Sequence, residues 1–225
     1  MPQQIRTRAI IVHRTNYGEA DRILHLLTPD HGVVSVIAKG ARREKSKLAG
    51  GIELFTLSDV TIMSGRGDMG TLTGARSNTY FMHILDDYAR LQFGYEAIKQ
   101  VRRAAEIVPE PAFFDLLAEC FALLDNKKIP LQLVEAWFWL QLAILLGVGM
   151  NLATDDQGQK LKADSRYDYR GEEAVFSENE NGQFSADHIK LLRLLSAQNP
   201  RIAAQVKDIE PLLEDIVWLA RHLRP

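Results

Sequence analysis

The sequence predicts an α+β fold, in which a small N-terminal β-barrel precedes a mainly α-helical region with a polar, strand-containing insertion. Three observations support this prediction. Short β-rich runs separated by turn residues fill the first 80 residues. Apolar residues then recur at helical spacing towards the C-terminus, and a polar stretch at about 151–183 interrupts them. We therefore divide the chain into a barrel domain, residues 1–79, and a helical domain, residues 80–225.

Five β-rich runs account for the barrel, and clusters of Gly, Pro, Asn and Asp separate them. Asn16-Tyr17-Gly18 and Pro29-Asp30-His31-Gly32 mark the first two turns. Five short strands in a segment of this length are typical of an OB-fold, a five-stranded Greek-key barrel. The predicted strands are Arg6–His13, Arg22–Leu27, Val33–Ala38, Leu54–Met63 and Thr71–Ala75.

Helical periodicity and breaker residues define the second region. Pro109-Glu110-Pro111 separates two amphipathic stretches, and Gly147-Val148-Gly149 ends a third, strongly apolar one. Ser185 is a suitable N-cap for a fourth helix. Within the insertion, 167–169 and 174–176 are predicted to form two short strands. The predicted helices are Glu96–Val108, Ala112–Leu124, a segment that follows Ile129-Pro130, Ala186–Ala197, and a C-terminal helix with apolar positions from Ile209 to Leu223.

The apolar segment Leu131–Met150 is long enough to raise the question of a membrane span, since fifteen of its twenty residues are apolar. Gln132, Glu135 and Gln141 lie within it, however, and each would be costly in lipid. We therefore predict a helix buried at the centre of the helical domain.

Composition places the chain among ordinary globular proteins, with 46% apolar and 25% charged residues. Its 27 basic and 29 acidic side chains nearly cancel, but they are unevenly distributed. Residues 1–80 hold 11 basic and 7 acidic side chains, whereas residues 81–225 hold 16 and 22. This asymmetry indicates a basic module joined to an acidic one.

Cysteine content and the N-terminal residues indicate the compartment. Cys120 is the one cysteine, so the chain can form neither an internal disulfide nor a cysteine-based zinc site. The first residues contain no long apolar run of the kind found in signal peptides. We therefore expect a protein of the reducing cytoplasm.

A strongly basic segment, residues 39–47, lies between the third and fourth predicted strands, flanked by glycines that favour a mobile loop. Clustered Lys and Arg side chains neutralise phosphates, and Arg also stacks on bases, so the segment is a candidate DNA contact. The alternative is a solvated loop that keeps a strand edge from aggregating. Its position on an OB-like barrel favours the nucleic-acid interpretation. The candidate residues are Lys39, Arg42, Arg43, Lys45 and Lys47, extended by Arg66 and Arg76 on nearby strand ends, with Arg14 and Arg22 as further candidates.

Short motifs follow one another in a fixed order through this region. They are Tyr17-Gly18-Glu19-Ala20-Asp21, Leu26–Gly32, Ala38–Arg43, Ser46–Gly50 and Phe55-Thr56-Leu57. This run of some 40 residues resembles the N-terminal domain of the RecO family of bacterial recombination mediators. Leu146–Asn151 resembles the helix end that precedes the central insertion of that family. With the order of barrel and helices, the resemblance extends over most of the chain.

The resemblance implies an OB-fold, a helical domain and a role in DNA repair and homologous recombination. RecO proteins bind single- and double-stranded DNA and anneal complementary strands. They act with RecR, and often RecF, to displace single-strand-binding protein, whose acidic tail the helical domain receives, and to load RecA at gaps. We therefore expect a cytoplasmic, nucleoid-associated DNA-binding protein that is not an enzyme and has no membrane partner. The DNA contacts implied by the matching residues are those of segment 39–47.

The chain departs from the family at the insertion, where many members carry four zinc-binding cysteines. Residues 151–183 contain neither Cys nor His. The six histidines of the chain show no His-x-x-x-His spacing, and no phosphate-binding loop or Gly-x-Ser-x-Gly motif is present. We therefore predict no metal site, no cofactor and no catalytic residue. The insertion is expected to hold its shape by β pairing and packing, and to be mobile.

A second function remains open at this point. The barrel would then be a scaffold whose basic segment contacts an acidic protein partner rather than DNA. The two hypotheses differ in the salt dependence of DNA binding, which is steep only for an interface that neutralises phosphates.

Overall fold

Five strands close the N-terminal barrel in the order β1-β2-β3-β5-β4. The structure is a computed structural model that describes residues 3–64, 67, 69–108 and 110–223. Neighbouring strands are antiparallel except for β3 and β5, which are parallel. All five predicted strands are present, so the α+β fold with an OB-type barrel is confirmed. The strands are β1 (Gln4–Tyr17), β2 (Asp21–Thr28), β3 (Gly32–Ala38), β4 (Thr56–Met63) and β5 (Met69–Tyr80).

The barrel core follows from the alternation of side chains along each strand. Ala9 and Ile11 on β1 point into the core, where they meet side chains such as Leu24 and Ile62. On the other face of β1, Arg6 and Arg8 near its start are exposed, whereas Ile10 and Val12 are buried. The first strands are separated by turns in which Gly18 and Gly32 have positive φ angles of 55° and 60°. Glycine adopts this conformation without the steric cost that other residues meet.

Two helices, α1 (Tyr88–Ile107) and α2 (Ala112–Asp125), belong to the same compact unit as the barrel, which extends over residues 1–125. Helix α1 begins eight residues before the predicted start at Glu96. Asp87 caps it, because its carboxylate accepts hydrogen bonds from the backbone N–H groups of Ala89 and Arg90 at 2.9 and 3.1 Å. Gly94 within α1 lies against Phe55, where a Cβ atom would be 2.7 Å from the ring. This packing glycine weakens the helical signal in the sequence.

The second compact unit, residues 126–225, is built around α3 (Leu131–Leu145). Trp137, Phe138 and Trp139 of α3 are all buried, and α3 packs against α4 and α6. Among the described residues, no helix is both long and apolar enough to cross a membrane. The prediction of a buried helix is therefore confirmed. The other helices are α4 (Ala186–Ala197), α5 (Pro200–Ala203) and α6 (Glu210–His222).

The ends of α4 are those predicted. Ser185 forms a capping box, in which its hydroxyl faces the backbone of the third helical residue and the His188 side chain accepts from the Ser185 N–H. Burial, partly offset by Asp215, lowers the pKa of His188, so the ring is neutral when it accepts this bond. The four-residue helix α5 was not predicted, since a single turn carries no periodic pattern.

The insertion contains a small antiparallel sheet in the order β7-β6-β8. Both strands predicted for this segment are present, and the two-residue β8 was too short to predict. Tyr167, Phe176 and Phe184 form a buried aromatic cluster on this sheet. The insertion therefore has a small core around Tyr167 and Phe176, and Phe184, just after the insertion, joins it to Trp218 of α6. The strands are β6 (Arg166–Arg170), β7 (Val175–Glu178) and β8 (Phe184–Ser185).

Candidate nucleic-acid interface

The basic segment, residues 39–47, begins as a loop fastened to the turn between β1 and β2. The N–H of Gly40 donates to Oδ1 of Asp21 at 2.7 Å, and the N–H of Arg42 donates to the carbonyl of Ala20 at 2.8 Å. Gly40 has a φ of 63°, which turns the chain sharply after β3. These contacts fix the position of the first half of the basic segment on the barrel.

The rest of the connection between β3 and β4 consists of consecutive turns. The N–H of Ser46 donates to the carbonyl of Arg43 at 3.0 Å, and a 3₁₀ turn follows at Ala49–Gly51. Gly51 lies so close to Ala75 on β5 that a Cβ atom would be 2.6 Å from the backbone carbonyl carbon. The connection therefore follows a defined path from the β1–β2 turn to β5, and Ile52 near its end is buried in the barrel core.

The charged side chains of the basic segment point to solvent. Within the ranges that the structure describes, none of the five Lys and Arg side chains takes part in an ion pair. Arg42 makes one intramolecular contact, in which Nη1 donates to the carbonyl of Gly18 at 3.4 Å. Their charges are therefore available to an external anion. The exposed basic residues are Lys39, Arg42, Arg43, Lys45 and Lys47.

A surface groove of about 720 Å³ extends from the end of this segment across β1, β4 and β5. Two rows of neighbouring residues cross the three strands. In the strand register, Asp59 of β4 lies between Arg8 of β1 and Arg76 of β5, and Thr61 of β4 lies between Arg6 of β1 and Gly74 of β5. The groove thus combines four basic residues, Arg6, Arg8, Lys47 and Arg76, with one acid, Asp59. Such a groove suits an extended polyanion.

The structure changes the set of candidate residues in this region. Arg76 is exposed and lines the groove with Lys47, but it lies within β5 rather than at a strand end. Arg66 lies outside the described residues. The sequence interpretation missed Arg6 and Arg8, although basic residues two positions apart on a strand point to the same face.

Arg14 and Arg22, the further candidates, are in a different electrostatic environment. Both contact Glu53, and the distance from Nη1 of Arg22 to Oε1 of Glu53 is 3.6 Å. Glu53 lies in the same connection between β3 and β4 as the basic segment. One carboxylate therefore offsets part of the charge of two arginines, and they are weaker candidates for contact with an anion.

Arg8 and His25 are two further basic residues of the barrel whose surroundings affect their charge or position. The guanidinium of Arg8 lies over the ring of Phe114 on α2, 5.1 Å from its centroid, and this contact holds one edge of the groove in place.

His25 lies on the face formed by β2 and β3. Burial lowers its pKa, and the nearby His13 and Arg102 lower it further. The neutral form of His25 is thereby favoured on the face on which OB-folds commonly bind single strands.

Comparison with known proteins gives the family. The profile described as "Recombination protein O N terminal" matches residues 1–81, which include the barrel. A relative from Dehalococcoides mccartyi named DNA repair protein RecO is 37% identical over 171 residues, or 74% of this chain. The chain belongs to the RecO family. The resemblance of the N-terminal motifs is thereby confirmed.

RecO relatives from other bacteria show similar levels of identity. Those from Rubrobacter xylanophilus and Synechococcus elongatus are each 34% identical, over 147 and 142 residues. The matched part covers 66% of the length of the first Dehalococcoides RecO and 51% of a second, so the chain spans less than two thirds of these relatives. All of them are named DNA repair protein RecO.

Proposed function

We propose that the protein is a mediator of DNA repair and homologous recombination that binds single- and double-stranded DNA and anneals complementary strands. It would also help to load a recombinase onto gaps coated with single-strand-binding protein. The observation that carries the proposal is an exposed set of unpaired cations on an OB-type barrel in a RecO-family chain. The relatives' names, which contain the words DNA repair, support the same role.

The phosphate backbone is the part of DNA that this surface suits best. Lys and Arg side chains that neutralise phosphates release condensed counterions, which gives affinity independent of sequence. Residues 1–79 are the DNA-binding domain in this proposal. Strand annealing needs such contacts, because repulsion between two phosphate backbones opposes their pairing. The proposed contacts are Lys39, Arg42, Arg43, Lys45, Lys47, Arg66 and Arg76, to which the groove adds Arg6 and Arg8.

The proposal includes the partners of a recombination mediator. They are RecR, often RecF, the tail of single-strand-binding protein and, indirectly, RecA. The helical domain, residues 80–225, is the proposed receiver of the single-strand-binding protein tail. In this role the protein is a cytoplasmic, nucleoid-associated binding protein without catalytic activity or cofactor, since it brings strands and proteins together rather than making or breaking bonds.

The groove is tested by the salt dependence of DNA binding. We expect the affinity of the full chain for a fluorescent single-stranded oligonucleotide, measured by fluorescence anisotropy, to fall steeply with NaCl concentration. The double variant Lys47→Ala/Arg76→Ala removes two groove cations. It is expected to weaken binding and to reduce the slope of log K against log salt by about 1.4, or about 0.7 for each lost phosphate contact.

A double variant on α1, Lys99→Ala/Arg103→Ala, is the matched control, because it removes two charges from exposed helix positions outside the groove. Its slope is expected to equal that of the wild type. Equal slope changes in both variants would show that net charge, and not the groove, determines binding. If the wild type binds no DNA at low salt, the scaffold hypothesis with an acidic protein partner replaces this proposal. Annealing assays with and without single-strand-binding protein test the mediator step.

A further inference from the structure

Tyr17, the last residue of β1, presents an aromatic ring to solvent at the edge of the basic segment. It is 54% exposed. Within the described residues, its ring has no aromatic neighbour and its hydroxyl no hydrogen-bond partner. Of the other exposed tyrosines of the same unit, Tyr88 accepts a hydrogen bond from Gln92 at 2.6 Å, and Tyr95 packs edge-on against Phe55 at 5.3 Å. Tyr80 is less exposed, at 46%, and lies at the end of β5 opposite Thr56, not at the basic segment. Tyr17 therefore has exposure without an evident packing role.

The position of Tyr17 is set from both sides. On one side it forms the last rung of the β1–β2 ladder, opposite Asp21. On the other, the turn that follows it is bonded to the basic segment. Gly18 and Ala20 accept hydrogen bonds from Arg42, and Asp21 accepts one from Gly40. The ring is thus carried on a fixed hairpin next to Arg42, and little conformational freedom remains to be lost on binding.

The chemistry of this hairpin suits a base better than a phosphate. Glu19 in the turn and Glu44 in the basic segment are exposed carboxylates, which repel phosphates locally. The carboxylates do not repel an uncharged base in this way, and any base can stack on an aromatic ring because every base has a π-face. A base that emerges from a phosphate track held by the basic segment can therefore stack on Tyr17.

We propose that Tyr17 is a base-stacking residue that makes the barrel prefer single-stranded DNA, with the basic segment and the groove holding the phosphates of the same strand. This inference rests on the proposed DNA-binding function and assigns a role within it. The faces of bases are covered inside a duplex and open in a single strand. The phosphate contacts serve both forms of DNA, whereas the Tyr17 contact serves only the unpaired form.

The variant Tyr17→Ala tests the role, and Tyr17→Phe keeps the ring. Three probes of equal length are measured by anisotropy at one salt concentration: a single-stranded oligonucleotide, an abasic single strand with the same phosphates, and a duplex. Tyr17→Ala is expected to weaken binding of the single strand by about fivefold or more, as for loss of one stacked base. It should leave the abasic strand and the duplex unchanged, and Tyr17→Phe should behave as the wild type. Tyr88→Ala, which removes a more exposed tyrosine from α1, is the control and is expected to change none of the three affinities.

The outcomes separate this inference from the function on which it rests. If the wild type binds DNA with steep salt dependence and Tyr17→Ala binds the single strand equally well, the stacking role is wrong and the DNA-binding proposal stands. An equal loss on the abasic strand would show that Tyr17 only supports the hairpin. Absence of binding by the wild type would overturn both proposals.

Discussion

The connection between β3 and β4, residues 39–55, and the insertion, residues 151–183, are both long polar segments that contain many turns, but they use their polar side chains differently. In the insertion these side chains bond to the backbone of the segment itself. Oδ1 of Asp155 accepts from the N–H groups of Gln157 and Gln159, at 2.9 and 2.8 Å. Asn151 accepts from Ala153 and Thr154 in the same way.

The connection between β3 and β4 is held mainly by other means. Backbone bonds between successive turns, the buried Ala41 and Ile52, and the carboxylate of Asp21 from outside the segment fix its path. Its basic side chains take almost no part, so they remain free for an external ligand. In an irregular segment, the side chains that are not needed for local structure are therefore the first candidates for function.

The largest effect is expected in the core of the insertion. Tyr167 is fully buried, packs against Phe176, and accepts a hydrogen bond from the N–H of Lys162 at 2.8 Å. Tyr167→Ala should lower the free energy of unfolding by about 3–5 kcal/mol, as in other deletions of large aromatic core groups. Urea unfolding of the full chain measures this loss. The control Tyr167→Phe keeps the ring and should lose only about 1 kcal/mol. Equal stability of Tyr167→Ala and the wild type would mean that the insertion has no core of its own.

A smaller loss is expected from Asp155→Ala. This carboxylate is buried and accepts hydrogen bonds from the backbone N–H groups of Gln157 and Gln159. We expect the free energy of unfolding to fall by about 1–3 kcal/mol. Asp164→Ala, at an exposed position of the same insertion, should leave it unchanged within about 0.5 kcal/mol. If both variants behave alike in urea unfolding, side-chain bonds do not hold the insertion, and the comparison between the two segments fails.

The smallest effect on stability is expected from Arg42→Ala/Arg43→Ala in the basic segment. Both side chains are exposed, so the free energy of unfolding should change by less than about 0.5 kcal/mol. DNA affinity should nevertheless fall for all sequences alike, with a salt slope reduced by about 1.4. Thermal unfolding and anisotropy titrations measure the two quantities on the same protein. A large loss of stability with unchanged DNA affinity would assign these arginines to structure.

Much of the fold could be predicted because local signals agree with it. The turn at Pro29-Asp30-His31-Gly32 separates two β-rich runs, and Ser185 marks the start of α4. Errors arose where tertiary packing overrides local preference. Helix α1 extends over Gly94, which is present because Phe55 occupies the space beside it.

The site was less predictable, since it depends on which residues become neighbours. Segment 39–47 stands out in the sequence by charge alone. The position of Arg8 and Arg76 on either side of Asp59, by contrast, requires the register of three strands. The contact of Arg14 with Glu53 joins residues 39 positions apart, and no local sequence pattern predicts it.

The parallel pairing of β3 with β5 also has a consequence for the order of folding events. Among the residues that the structure describes, three rungs join these strands, from Ser35 with Met69 to Ile37 with Thr71. The whole basic segment lies in the stretch of chain between the two strands. Closing so long a stretch costs entropy before its contacts form. During synthesis, the basic segment emerges from the ribosome before Arg76 and the other groove residues of β5. The complete phosphate-binding surface therefore arises late, when the last strand of the barrel joins.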